Sequence, residues 1–223
     1  LDAPYVVDQG PGLPKWKPSN YTEKFYGLST MRIGLEKSRN LMTIRLADKI
    51  GMEKILNTTK NFNIDKFLDQ NLSMALGAGL TTLQDLTNAY AMIVNGGKKI
   101  KPIIIQSVYD KRGKLIINNE QKICLNCIQN DELLDYKIPK IKNNDIKILD
   151  SVIAYQITSM LEGVVKSGTG KKISILNVPL AGKTGTTNEN KDAWFIGFSP
   201  DLVVGVYVGY DKPKNLGYKQ TGS

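Results

Sequence analysis

Between residues 151 and 165 apolar side chains return every three or four positions, at Ile153, Ile157, Met160, Leu161 and Val164. That spacing lines one face of an α-helix, and it predicts a helix packed on a core. Leu86, Ala89, Tyr90, Ile93 and Val94 repeat the pattern behind Thr82-x-x-Asp85, which has the form of a capping box. Asn95-Gly96-Gly97 stops that helix. Thr30 is placed to cap a short helix reaching about Lys37. Ser38-Arg39-Asn40 then interrupts it, and residues 41–50 resume as a helix that Gly51 ends. Ser38 and Asn40 therefore stand at a helix junction, where side chains can point away from the core.

The period changes in the last third. Residues 178–187, 193–198 and 202–210 read as strands, with Ser199-Pro200-Asp201 as a tight turn between the last two. Val203, Val204, Val206 and Val208, spaced by Gly205, suit a buried sheet. Short connections favour antiparallel pairing. Residues 103–109 read as one more strand, and 1–29 as extended loop with turns at Pro11-Gly12 and Lys17-Pro18-Ser19-Asn20. Residues 110–148 turn polar and lysine-rich, as a surface insertion with a short hairpin would. Ser167-Gly168-Thr169-Gly170 reads as a flexible turn behind the 151–165 helix. Helices first and an antiparallel sheet after them give an α+β fold, with the sheet flanked by helices. The 223 residues suffice for one domain or most of one.

Composition narrows the chemistry. The chain has no histidine, which excludes a Ser-His-Asp triad, a Cys-His pair and a His-based zinc site. Two cysteines are too few for a four-thiolate metal site, and no cofactor or metal is expected. Any general base is a lysine, carboxylate or tyrosine. The net charge of +9 reads as a solvated, lysine-rich surface. No aromatic residues interleave with the basic ones, so a nucleic-acid partner is not expected. Cys124-x-x-Cys127 lies between polar stretches, away from any βαβ unit, and reads as a local disulfide or two spectator thiols. No apolar run approaches the roughly 20 residues that cross a bilayer, and Leu1-Asp2-Ala3-Pro4 is not a targeting segment.

Two short motifs carry the candidate chemistry. Lys183-Thr184-Gly185-Thr186 falls in a predicted strand, followed by Thr187 and then by a second strand. Gly185 leaves room for a peptide backbone to pair with the strand edge. Lys183 brings positive potential, and the Thr184 and Thr186 hydroxyls can bond a carboxylate. Far upstream lies Ser38-Arg39-Asn40. Lys-Thr-Gly and Ser-x-Asn are two of the three motifs of serine acyl-transfer enzymes, and the third, Ser-x-x-Lys, carries the nucleophile. No serine of this chain has a lysine three residues on. Thr169-Gly170-Lys171-Lys172 has the spacing with another hydroxyl, but in a loop behind a helix.

The wider sequence resembles the transpeptidase domain of class A, high-molecular-mass penicillin-binding proteins. The resemblance rests on Trp16-Lys17-Pro18-Ser19-Asn20-Tyr21 and Leu35-Glu36-Lys37-Ser38-Arg39-Asn40-Leu41. It continues through Gly79-Leu80-Thr81-Thr82-Leu83-Gln84-Asp85-Leu86, then Asn95-Gly96-Gly97 and Pro102. Residues 182–187 and Lys191-Asp192-Ala193-Trp194-Phe195-Ile196-Gly197 complete it, in order, over nearly the whole chain.

The resemblance implies a five-stranded antiparallel sheet of the β-lactamase/transpeptidase kind. This chain is expected to hold it incomplete at both ends, as a partial domain over 1–223 that starts after the Ser-x-x-Lys motif. It implies a serine-type D-Ala-D-Ala transpeptidase that cross-links peptidoglycan stem peptides and binds β-lactam antibiotics. The parent protein is expected to be membrane-anchored and to work in the periplasm, on the outer side of the bacterial cell membrane. By the resemblance, Ser38 shuttles a proton, Asn40 bonds the substrate, and Lys183 tunes Ser38 and attracts the terminal carboxylate. Thr184, Gly185 and Thr186 complete the substrate site, the Thr186 N–H as half of an oxyanion hole. Without the nucleophile the chain alone is expected to be inactive, and strand edges left open invite a dimer.

The alternatives are a serine β-lactamase-like hydrolase or a non-catalytic binding or scaffold module. The hydrolase needs a general base, and Glu53-x-x-x-Asn57 matches such a loop only superficially, since its surroundings read as a helix start.

Overall fold

The computed structural model describes residues 1–12, 14–119, 122–124, 141–143, 145–217 and 220–222. Cys127 and about half of the 110–148 stretch around it lie outside the described residues, so the Cys124/Cys127 pairing does too.

Helix α1, Met31–Glu36, starts where Thr30 Oγ1 accepts from the Ile33 N–H at 3.3 Å. Helix α2, Asn40–Ile50, has no cap from its own Arg39. The acceptor comes from the N-terminal loop instead. Asn20, buried, takes the Leu41 N–H on its Oδ1 at 3.3 Å and donates to Asp2 Oδ1 and the Lys24 carbonyl, both at 2.8 Å. A free first-turn N–H is thus satisfied from 21 residues away. Gly51 ends α2 at φ +89° and leads into α3, Met52–Asn61. Helix α4, Leu83–Val94, is capped by Thr82 Oγ1, which accepts from the Asp85 N–H at 3.0 Å.

Two small ladders follow. Strand β1, Ser107–Tyr109, pairs antiparallel with β2, Leu115–Asn118, and β3, Lys122–Cys124, pairs with β4, Ile141–Asn143. The strand expected over 103–109 is thus only its last three residues. Pro102 has no N–H to give, and the partner strand is four residues long, so Ile103, Ile104 and Ile105 stay outside the ladder and exposed.

Helix α5, Ser151–Lys166, is the longest among the described residues. Its buried positions are Ala154, Leu161, Val164 and Val165, with Ile157 packed beside them. Ile153, expected on the buried stripe, lies on the solvent flank instead, and its neighbour Ala154 takes the buried position. A 3-10 turn over Lys171–Leu176 takes the chain to the sheet. Strands β5, Ala181–Thr186, β6, Asp192–Phe198, and β7, Val203–Gly209, form an antiparallel sheet in the order β5-β6-β7. Strand β5 is shorter than the predicted 178–187. The β6–β7 turn is closed by Ser199 Oγ, which accepts from the Asp201 and Leu202 N–H groups. Described residues thus supply three strands of the five that the resemblance implies.

The core lies between this sheet and α1, α4 and α5. Leu161, Val164, Ala181 and Phe198 are buried, with Leu35, Tyr90, Val94, Ile157 and Val203 packed around them. A second cluster, Phe62, Ala89 and Met92, sits on the other side of α4. Only one face of β7 joins the core. Gly205 approaches α4 so closely that a Cβ there would lie 2.0 Å from Thr87 Oγ1. The valines at 204, 206 and 208 face the other way and are exposed, against the expectation that they belong to a buried sheet.

Candidate active site

Lys183 comes from the middle of β5, paired with Ile196 of β6. Its Nζ donates to Ser38 Oγ at 2.9 Å and to the Thr184 carbonyl at 3.0 Å. Ser38 and Lys183 are 145 residues apart in the chain. Burial pushes the Lys183 ammonium down to about 8, since the water that would support its charge is largely excluded. The lysine is therefore no free surface group.

Ser38 is held in an unusual backbone. Its φ is +52°, in the left-handed region that side chains with a Cβ seldom adopt. The Ser38 N–H donates to the Leu35 carbonyl and the Arg39 N–H to the Gly34 carbonyl, which closes the turn between α1 and α2. Ser38 is thus not a helix cap. The turn aims its hydroxyl at β5, a strained arrangement of the sort found at functional sites. Arg39 leans the other way, its guanidinium 3.3 Å from the centre of the Tyr26 ring and 3.8 Å from Asp2.

Asn40, the first residue of α2, donates its amide to the Ser19 carbonyl at 2.9 Å. It joins the Ser38 junction to the N-terminal loop, and its bonded partner is that loop rather than Lys183. Alternation along β5 sends Lys183 and Gly185 to one face and Thr184 and Thr186 to the other. The Thr184 hydroxyl lies 2.7 Å from that of Thr169. Thr186 Oγ1 accepts from the Gly222 N–H at 3.1 Å. Gly222 stands over the Gly185–Trp194 pair, where a Cβ would come within 2.4 Å of the Gly185 carbonyl oxygen. Glu53 lies in the first turn of α3, so the Glu53-x-x-x-Asn57 match falls on a helix and offers no loop base.

The expected flexible turn at 167–170 is instead anchored on three sides. The Gly168 N–H donates to the Gly163 and Val164 carbonyls, Gly170 N–H to the Val164 carbonyl, and Thr169 N–H to the Glu36 carbonyl. Lys37 Nζ bonds the Ser167 carbonyl, and Ser167 Oγ lies 3.4 Å from Glu36 Oε2. A Cβ on Gly168 would sit 2.3 Å from the Glu36 carbonyl oxygen, and one on Gly163 would sit 1.9 Å from Glu36 Oε1. Two glycines thus let α1 and α5 close up beneath Ser38. Thr169 was missed as a site residue by motif reading. A hydroxyl between two glycines just past a helix end was the available signal.

What gathers here is an ammonium touching a serine hydroxyl, with further hydroxyls on the strand beside it. Such a group can pass a proton between Ser38 and Lys183 and can hold an anion beside β5. The sequence profile of the penicillin binding protein transpeptidase domain matches residues 2–223. Penicillin-binding protein 1A of Rickettsia typhi is 49% identical over 223 residues, all of this chain and 28% of that protein. Penicillin-binding protein 1A of Neisseria lactamica is 35% identical over 219 residues, 97% of this chain and 25% of that protein. The chain thus spans about a quarter of the length of these curated relatives. Among solved structures, penicillin-binding protein 1A from Haemophilus influenzae superposes with a TM-score of 0.85 at 29% identity, over 99% of this chain and 36% of that one. PonA1 from Mycobacterium tuberculosis, solved in complex with penicillin V, shares the fold with a TM-score of 0.73 at 21% identity, over 98% of this chain and 57% of that one.

Proposed function

The chain belongs to the transpeptidase domain family of class A penicillin-binding proteins, and on that premise we propose that it carries the substrate-holding walls of a serine D,D-transpeptidase. The observation that carries this reading is the 2.9 Å contact from Lys183 Nζ to Ser38 Oγ. The acyl donor is a peptidoglycan stem peptide ending in D-Ala-D-Ala, and β-lactams take its place. A serine hydroxyl outside these residues attacks the penultimate carbonyl carbon. The C–N bond breaks, the nitrogen takes a proton, and D-alanine leaves. An amine of a neighbouring stem then attacks the ester carbon, forms the new amide and gives a proton back to the serine.

Ser38 serves the first half of this sequence. Its oxygen accepts from Lys183, which leaves its own O–H free to donate to the departing nitrogen. Lys183, pushed down to about 8, yields a proton near neutral pH at small cost, so the relay is close to balanced. Thr184 and Thr186 hold the terminal carboxylate, and the Lys183 charge from across the strand adds positive potential. Gly185 admits the peptide backbone, Asn40 bonds its amide after releasing Ser19, and the Thr186 N–H polarises the reacting carbonyl. This set makes Ser38 and Lys183 the catalytic pair and Asn40, Thr184, Gly185 and Thr186 the binding set.

The whole protein is read as anchored in the cytoplasmic membrane with this domain on its outer side. No helix among the described residues is long and apolar enough to cross a membrane. Residues 110–148 are read as an insertion on a partial domain spanning 1–223. The edge of β7, which pairs with no further strand among the described residues, favours self-association of the chain by itself.

Two measurements test the reading. Incubated with benzylpenicillin, the chain alone shows no penicilloyl mass increase, because it has no Ser-x-x-Lys. A stoichiometric increase overturns that part. In the full-length protein, Lys183→Ala lowers the rate of penicillin acylation about a hundredfold, the effect of losing a contact worth about 3 kcal/mol to the transition state. An unchanged rate in a folded variant removes Lys183 from the mechanism.

A further inference from the structure

Thr169 lies outside every motif that the proposed function uses, yet its hydroxyl stands 2.7 Å from that of Thr184. The loop that presents it is fixed from both ends. Gly168 and Gly170 are bonded to the last turn of α5, and the Thr169 N–H to the Glu36 carbonyl, two residues before Ser38. Gly168 has no room for a side chain against that same carbonyl. The Thr169 hydroxyl is therefore tied through the backbone to the turn that aims Ser38.

Two hydroxyls at this distance share one hydrogen bond, and its sense matters. If Thr184 donates to Thr169, its remaining lone pair faces the ligand and repels a carboxylate. If Thr169 donates to Thr184, the Thr184 proton is left to donate outward, to an anion. We propose that Thr169 is a positioning residue that turns the Thr184 hydroxyl outward as a donor, and so makes the site select acyl donors ending in a free carboxylate. This rests on the reading of the site as a carboxylate-binding transpeptidase cleft. It adds to that reading a residue from the α5–β5 connection that acts only through Thr184.

The test uses the full-length protein and two probes, benzylpenicillin and its uncharged methyl ester. The readout is the ratio of their acylation rates, which a general loss of structure does not change. Thr169→Val keeps the shape and removes the hydroxyl, and the acid-to-ester ratio is expected to fall about tenfold. Thr169→Ser, which keeps the hydroxyl, restores it. Thr184→Val lowers the ratio as well, and adding Thr169→Val to it brings no further fall, because one residue acts through the other. Thr169→Ala gives a second hydroxyl-free variant if the valine does not fit the loop. An unchanged ratio in either folded variant, or a serine variant that behaves like valine, overturns the proposal while leaving the transpeptidase reading intact. A wild-type protein that acylates acid and ester equally fast overturns both.

Discussion

At the β5 end of the sheet, Lys183 reaches Ser38 past the close approach of α1 to α5, and hydrogen bonds tie the strand to the turns around it. At the β7 end, Val204, Val206 and Val208 stand 47%, 47% and 55% exposed, and Tyr207 packs on Trp194 with ring centres 4.8 Å apart. Both ends belong to one three-stranded sheet with the same antiparallel register. The difference lies in what backs them. Behind β5 the helix α5, the anchored 167–170 loop and the Ser38 turn exchange backbone hydrogen bonds, so positions are fixed by directional contacts. The outer face of β7 has apolar side chains and, among the described residues, no layer over them. Apolar content makes a strand sticky, while location in a web of backbone bonds makes a site.

The largest expected effect tests that web. Gly168→Ala places a methyl against the Glu36 carbonyl and the Val164 backbone, neither of which can turn aside. It should cost about 3 kcal/mol, in the upper range for overpacking, as read by urea denaturation. A variant as stable as the parent means that the α1–α5 approach is looser than the Gly168 contact implies. Of similar size is Leu161→Ala, which empties a buried position between α5 and the sheet and should cost about 3 kcal/mol. A loss below roughly 1 kcal/mol in thermal melting shows that this side chain is not part of a close-packed core.

A smaller effect lies in pH. Lys183 holds its proton to about pH 8 in the folded chain and to 10.5 when unfolded. Between those values the unfolded chain binds more protons, so the lysine's contribution to stability rises with pH across the window. Compared with Lys183→Met, the parent should gain on the order of 2 kcal/mol from pH 7.5 to 10.5, with partial exposure trimming the full linkage value. A difference that stays flat over that window places the ammonium in water. The smallest effect is expected at the other end of the sheet. Val206→Thr on the exposed face of β7 should change stability by less than about 0.5 kcal/mol. A loss of several times that, dependent on protein concentration in sedimentation, shows that two copies meet there.

Much of the fold was legible because its signals are local. Thr30 and Thr82 cap the helices they were expected to cap, and Gly51 ends α2 where its missing Cβ permits φ +89°. The β6–β7 hairpin turns at Ser199-Pro200-Asp201 as its side chains require. Less was legible where an element depends on a distant partner. Residues 103–106 have a strand's composition and, among the described residues, no strand to meet, and the three valines of β7 carry a core's composition without a described layer over them. The Ser167–Gly170 turn looked loose because glycine permits freedom, whereas here it permits close approach.

By itself the sequence determined the local elements, the excluded chemistries and the two motifs, because caps, periods and residue types act within a few positions. It also determined the family, since the order and spacing of the motifs span nearly the whole chain. Only the tertiary structure decided which hydroxyls meet. Ser38 and Lys183 lie 145 residues apart, Asn20 caps a helix from another loop, and Thr169 finds Thr184 across the end of α5. Such pairs depend on angles between packed helices and strands, set by the volumes of Leu161, Val164 and Phe198 and by the empty space at Gly163 and Gly168. No short-range pattern encodes those angles, because they emerge when separate faces are pressed into one close-packed core.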